Sequence, residues 1–358
     1  MIQTFSSTIR RKEMDAVLTC MVDEKIGPGE LNGRLIQAVK EFMGADGVVA
    51  LRSPALALGY ALKALALEAG SGIMLSALAP SWQYQAVEQL GYKPVVLDVA
   101  EETGLVTASA VEAGAQAGGR LLLLHETMGI MPDMDAIMAL GIPVIEDISQ
   151  SVGAVLSPAL GGEDGSAPDA ASSAARRAGS FGMYAIMGME EFDTVTAGGG
   201  AVLMAPRRRE WIVLKKYTDA APRTDILPDI NSALAWVQLK EYKRNEELRK
   251  KLFAVFQRSL MSGRNKTFVR ESDEGSTIWS FPVVLGGSFK DAKQYASRKE
   301  IEIKSAYADS VIALKEEELS PQCMHAKSLF LRTVLFPLYP RLTNDSATKI
   351  AKVISTLP

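Results

Sequence analysis

With 358 residues, 47% hydrophobic and 23% charged, the chain is long enough for one large and one small domain around a sizeable core. A net charge of −3, with no basic stripe interleaved with aromatics, argues against a nucleic-acid partner. Two cysteines, Cys20 and Cys323, make no disulfide framework, and two distant histidines, His125 and His325, make no metal site.

The opening residues MIQTFSSTIRRKEMD lack the apolar stretch of a secretory signal. The most apolar helix candidate, 54–69, is interrupted by Lys63 and Glu68 and is too short to span a bilayer. A reduced, cytoplasmic protein with no membrane partner is therefore expected. An arm and a helix over 11–22 close at Gly27-Pro28-Gly29, and a second helix over 31–42 buries one stripe through Leu31, Leu35, Ala38, Val39 and Phe42. A strand over 48–51 follows. Ser53-Pro54 then reads as N-cap and first helical residue of a helix reaching Gly70. Strands over 73–78, 94–97, 121–124 and 143–145 alternate with helices over 82–90, 108–115 and 134–140.

This short-period alternation predicts a parallel sheet covered by helices, with right-handed crossovers. Ser53, residues 80–82, Asp98, His125 and Asp147 then share the carboxyl edge, where open α/β sheets hold ligands. The run Ile142–Ile145 is apolar without interruption, as a strand buried on both faces requires, and it leads straight into Glu146-Asp147.

Residues 157–179, rich in Ala, Ser, Gly and Asp, read as a loop. Beyond them come strands over 181–187 and 200–204, a charged helix over 206–217 and one long amphipathic helix over 229–260. Strand and helix alternate again over 277–285, 290–298, 301–304, 332–336 and 344–357. The expected division is an arm and large α/β domain over 1–240, then a smaller α/β domain over 241–358.

The segment IPVIEDISQSVGA at 142–154 resembles "IPVIEDAAQAxGA" of the DegT/DnrJ/StrS sugar aminotransferases. Five further segments are similar to that family's motifs, in the same order. They are GYKPVVLD at 91–98, HETMGIMPDMDAI at 125–137, GSFG at 179–182 with TAGGGAV at 196–202, DINSALAWVQL at 229–239 and FPLYPRLT at 336–343. The resemblance implies an α/β protein of the pyridoxal-phosphate (PLP) transferase fold type I, with a mostly parallel central sheet in the large domain. It also implies PLP or pyridoxamine phosphate (PMP) as cofactor, a nucleotide-linked sugar as ligand and a homodimer. In such a site Asp147 would pair with the cofactor's ring nitrogen, since a carboxylate keeps that nitrogen protonated and the ring electron-withdrawing. Gln150 would line its face. Ser53 and Ala55 would lie nearest its phosphate, Trp82 would stack on the ring, and His125 would border it.

The family's Schiff-base lysine falls at Phe192, or at Asp193 with a one-residue slip, and no lysine occurs between Pro94 and Leu214. A Schiff base needs a primary amine. The family's "SGTAAL" phosphate cradle reads Ser53-Pro54-Ala55-Leu56-Ala57-Leu58, where Pro54 has no N–H and Ala55 no hydroxyl. The serine of "SF" maps to Met187 or Gly188, and "N.R" reads Thr224-Asp225-Ile226. Four departures at one ligand's site favour a relative that forms no internal aldimine and binds a nucleotide sugar or serves as a pathway partner. Two alternatives are a transaminase using Lys215 or Lys216, and a PMP-using sugar dehydratase without a lysine. Elsewhere the plain structural readings lead. Glu190, Glu191 and Asp193 read as a solvated turn, Arg207-Arg208-Arg209 as a solvated helix face, and the methionines of 183–189 as core.

Overall fold

The structure, a computed structural model, describes residues 1–156, 176–261, 263, 265–270 and 275–358. Helices α1 (Arg11–Val22) and α2 (Glu30–Met43) precede β1 (Gly47–Leu51), α3 (Pro54–Leu65), β2 (Gly72–Ser76), α4 (Ser81–Gln89) and β3 (Lys93–Leu97). Then come α5 (Ala108–Gln116), β4 (Gly119–His125), α6 (Met134–Ala139) and β5 (Val144–Asp147). A small hairpin, β6 (Val155–Leu156) with β7 (Arg176–Arg177), leads to β8 (Tyr184–Gly188), β9 (Ala201–Ala205) and α7 (Arg208–Thr218). The rest comprises α8 (Asp229–Lys240), α9 (Tyr242–Leu260), β10 (Phe281–Val284), α10 (Phe289–Arg298), β11 (Lys304–Ser305), α11 (Val311–Leu314), α12 (Glu316–Leu319), α13 (Met324–Arg332), β12 (Thr333–Phe336) and α14 (Asn344–Ser355).

Seven strands form one sheet in the order β1-β9-β8-β5-β4-β2-β3. Only β9 runs against the other six. A second sheet, β10-β12-β11, is antiparallel. The large sheet is apolar on both faces because helices cover both. Leu123, Ile145 and Ile186 point to the face under α3, α4 and α7, packing with Leu58, Val87 and Leu214. Leu122, Leu124 and Val144 point the other way, onto Val111 of α5 and Ile137 of α6. At the far end of that second face, Met187 and Val202 meet Leu35 of α2 and Leu239 of α8.

Side chains alternate along a strand, so this parity decides where the edge residues go. Asp147 and His125 follow Ile145 and Leu123 onto the α4 face, whereas Glu146 follows Val144 onto the opposite one.

The helix expected over 229–260 is two helices. The backbone turns at Glu241 (φ −86°, ψ 0°), a residue held by Lys12 and Arg244. Before the turn α8 packs on α1 and α2, and after it α9 packs on α14. Two packing partners bend a chain that carries no Gly or Pro at the break. The strand expected over 277–285 narrows to β10. That over 301–304 shifts to β11, while Ile301 bridges Ile2 of the arm. Helices α11, α12 and α13 were not anticipated. Of the expected loop 157–179, residues 157–175 lie outside the described residues. Asp229 starts α8 and also caps α2. Its carboxylate accepts the N–H groups of Gly29 at 2.9 Å, Leu31 at 3.2 Å and Asn32 at 2.9 Å, a favourable place for negative charge.

Candidate functional site

Asp147, last residue of β5, is 1% exposed, and both its oxygens are engaged. Oδ2 accepts Gln83 Nε2 at 2.7 Å and faces His125 Nδ1 at 3.0 Å. Oδ1 accepts the Ser149 N–H at 3.1 Å and the Ser149 hydroxyl at 2.5 Å. A carboxylate only accepts, so His125 carries its proton on Nδ1. Burial opposes charge on Asp147, but the facing His125 and the Ser149 donors outweigh it and hold the carboxyl below its usual range. A carboxylate offers about four lone-pair sites, and these four donors use them all.

On the opposite face Glu146 accepts the backbone N–H groups of Gly179 at 2.8 Å, Phe181 at 2.9 Å and Gly182 at 2.6 Å. Glu126, also fully buried, accepts the Ser151 hydroxyl at 2.5 Å. Burial above all, and then the neighbouring Glu146, push the Glu126 carboxyl well above its ordinary value. Two buried carboxyls cannot both be charged here, so Glu126 keeps the proton and donates it towards Glu146.

The two candidates for the lysine position part ways. Phe192 turns outward, 41% exposed, and stacks on Phe5 with ring centroids 4.5 Å apart. Its carbonyl accepts Trp279 Nε1 at 2.8 Å, and the Lys304 ammonium lies 5.5 Å from its ring centre. Asp193 turns inward, with Oδ2 accepting the Glu190 N–H at 2.8 Å. A Cβ added to Gly188 would stand 2.8 Å from that oxygen and 2.7 Å from Ser149 Oγ. Asp193 therefore closes the end of β8, the neighbour of the strand that carries Asp147. Burial, reinforced by the charges of Asp147 and Glu190 against the bond from Glu190, pushes the Asp193 carboxyl up to about 7.

The other expected residues are spread out. Ser53 Oγ is used as the N-cap of α3, accepting the Leu56 N–H at 3.2 Å, and Ala55 is exposed beside it. Trp82 is half-buried against the cluster under α3 and α7. Its neighbour Gln83 makes the bond to Asp147. Gln150 accepts the Met128 N–H at 2.7 Å, which holds the turn after β4. Sequence reading missed Gln83, Ser149 and Glu126. Ser149 had a signal, since it stands where the similar motif carries alanine. Gln83 had none, because helical phase alone does not say which residue of α4 reaches the strand end. Among the described residues no group of His, Cys, Asp or Glu could hold a metal, and no helix is long and apolar enough to cross a membrane.

The cofactor implied by the resemblance can be tested against these residues. An amine for covalent attachment is missing from the strand end, where Asp193 points instead. No lone pair of Asp147 is left for a ring N–H. At α3 the side-chain oxygen of Ser53 is committed, and Pro54 offers no donor. A serine at Gly188 would collide with Ser149 and Asp193. The residues present do not supply what covalently held PLP needs.

The sequence profile of the DegT/DnrJ/EryC1/StrS aminotransferase family matches residues 7–214 and 215–355. Among solved structures, an aminotransferase from Psychrobacter cryohalolentis is similar at TM-score 0.82 and 20% identity, covering 97% of this chain and 96% of that one. The aminotransferase TlmJ from Streptoalloteichus hindustanus gives TM-score 0.85 and 16% identity, with 99% and 98% covered. A mutant GDP-4-keto-6-deoxymannose-3-dehydratase with bound GDP-perosamine gives TM-score 0.80 and 15% identity, with 99% and 100% covered. The shared fold is that of the PLP-dependent transferases of type I.

Proposed function

Because the chain belongs to the DegT/DnrJ/EryC1/StrS aminotransferase family, we propose that it is a member without an internal aldimine, which binds a nucleotide-linked sugar and transfers no amino group to it. The observation that carries this reading is the closed shell of donors around Asp147. Gln83, His125 and Ser149 hold the acid that would otherwise meet a pyridine nitrogen. Bound PLP supplies an electron-withdrawing ring, and these residues compete with it rather than present it.

Titration with PLP, followed in the near-ultraviolet and visible, is expected to show the free aldehyde only. Borohydride treatment and peptide mapping are expected to find no labelled lysine in the fold's crevice. A trapped aldimine on any crevice lysine overturns the reading.

The two alternatives gain little from the geometry. Lys215 pairs with Asp219 on the exposed side of α7, and Lys216 is exposed beside it. PMP-assisted dehydration gains an acid–base group in Asp193 but meets the same engaged Asp147. The division into 1–240 and 241–358, supported by the separate seven- and three-stranded sheets, belongs to the same proposal. So does assembly as a homodimer, expected from family membership and checked by sedimentation velocity, where a monomer at micromolar concentration would refute it.

A further inference from the structure

The two edges of the large sheet end differently. At β1 the chain covers its own edge. The Arg52 N–H donates to the Asp225 carbonyl at 2.9 Å, the Leu227 N–H donates to the Ala50 carbonyl at 3.1 Å, and Leu51 bridges Ile226. At β3, the other edge, no described residue pairs with the strand from outside. The Lys93 N–H donates to the Ser71 carbonyl and the Leu97 carbonyl accepts the Ala77 N–H, so the odd-numbered residues of β3 bond towards β2. Backbone groups alternate along a strand, which leaves the Pro94 carbonyl and both groups of Val96 turned outward. An open edge of this kind is a template for another strand.

A cavity of about 520 Å³ runs along that edge. On one face its wall is α5, which presents Ala110, Ala113 and Ala117. On the other it is Tyr84 of α4 with Glu318 and Leu319 of α12. The core follows the same division, with Val95 and Leu97 packed under α5 and Val96 beside Tyr84 and Leu319. A strand added here is therefore walled as β3 is. Side chains on its α5 face meet methyl groups, which leaves room for large aliphatic ones. Side chains on its other face meet an acidic rim. Glu316, Glu317 and Glu318 are exposed, and none is in an ion pair among the described residues. Glu88 acts on Tyr84 alongside Glu318. Asp98 also borders the cavity but is engaged by α13, accepting the His325 and Ala326 N–H groups at 3.1 and 2.8 Å. Against these stand Lys93 at the start of β3 and Lys315, whose ammonium lies 5.2 Å from the Tyr84 ring centre. The acids outnumber the cations.

We propose that the β3 edge takes an extended peptide as an eighth strand, with aliphatic side chains towards α5 and lysine or arginine side chains towards Glu318 and its neighbours. Backbone pairing supplies affinity and the two walls supply selectivity. Pro94 gives up one donor, as edge strands tolerate, and so confines the pairing to the stretch from its carbonyl onward. A second copy of the chain fits less well. Two-fold pairing of two β3 edges keeps both acidic α12 turns on the same face of the joined sheet, where they repel. The site lies three strands away from Asp147 and stands whether or not PLP binds there.

Calorimetric titration of the full chain with acetyl-Lys-Val-Lys-Leu-Lys-Val-Lys-amide tests it, against the same peptide with glutamate at every lysine. The basic peptide is expected to bind about tenfold or more tightly than the acidic one, with the gap shrinking at high salt. Two further basic peptides carry N-methyl groups on alternate residues, one on the lysines and one on the aliphatic residues. Only one set of N–H groups can face β3, so one peptide is expected to lose binding and the other to keep it. Val96→Pro removes the outward N–H, leaves the bonds of β3 to β2 in place and is expected to weaken binding about tenfold. Glu318→Lys changes an exposed side chain and is expected to weaken it by a similar factor. Circular dichroism checks that both variants fold. Equal binding of the basic and acidic peptides overturns the proposal, as does equal behaviour of the two N-methylated ones. Binding untouched by either variant overturns it, and so does a basic peptide that fails to bind. A sedimentation coefficient that falls in Val96→Pro, with no peptide bound by the parent, assigns the edge to a second copy and overturns it too.

Discussion

Replacing Glu146 by alanine is expected to lower the stability of the fold by about 4 kcal/mol, one of the largest single-site losses open to this chain. Its carboxylate takes three backbone N–H groups from the turn at 179–182, which sets the start of β8. Without it those donors stay buried and unpaired, and Glu126 loses the neighbour that receives its proton. Urea unfolding measures the loss, and a cost near that of an ordinary surface substitution would refute the account.

The same pair predicts a pH dependence. The folded state holds the Glu126 proton that the unfolded chain releases at the ordinary glutamate value. Folding is therefore favoured in full below that ordinary value. The contribution is lost as pH rises through the raised, folded one. Glu126→Gln keeps a donor facing Glu146 and carries no proton to lose. Its stability is expected to fall less than that of the parent over that range, the remaining fall coming from Asp193, whose carboxyl is pushed up to about 7. Parallel curves for the two proteins would show that Glu126 is not the buried acid.

Installing the missing amine is expected to fail. In Asp193→Lys the new ammonium faces Asp147 and Glu190, which favour its charged form, and a protonated amine does not attack an aldehyde. Asp147 remains enclosed by Gln83, His125 and Ser149, and α3 still opens on Pro54. Borohydride labelling with PLP is expected to stay at the level of the parent protein, for this variant and for Phe192→Lys alike. A strong aldimine band from either change alone would mean that only the amine had been lost and the rest of the cofactor site persists.

Some of the site was legible early. The apolar run ending in Glu146-Asp147 announced a buried strand with an acid at its edge, because burial on both faces leaves no room for alternation. Ser53 before Pro54 announced a capped helix, and Ser53 caps α3. The break at Glu241 was not legible, since it comes from what α8 and α9 pack against and not from a helix-breaking residue. Nor could a count along the chain separate Phe192 from Asp193. One turns out to stack on Phe5, 187 positions earlier, and the other turns in against Gly188 at the end of β8.

Sequence alone settled the succession of strands and helices, the family to which the motifs are similar, and the lack of lysine between Pro94 and Leu214. These are properties of neighbouring residues and of residue identity, which need no contact to be read. Only the tertiary structure decided that Asp147 is saturated by donors from three separate places in the chain, and that Glu126 and Glu146 share a proton. It alone showed Phe192 turned outward and Asp193 turned inward at neighbouring positions. Each of these depends on which side chains meet across the sheet edge, and that meeting is set by packing between segments far apart in sequence.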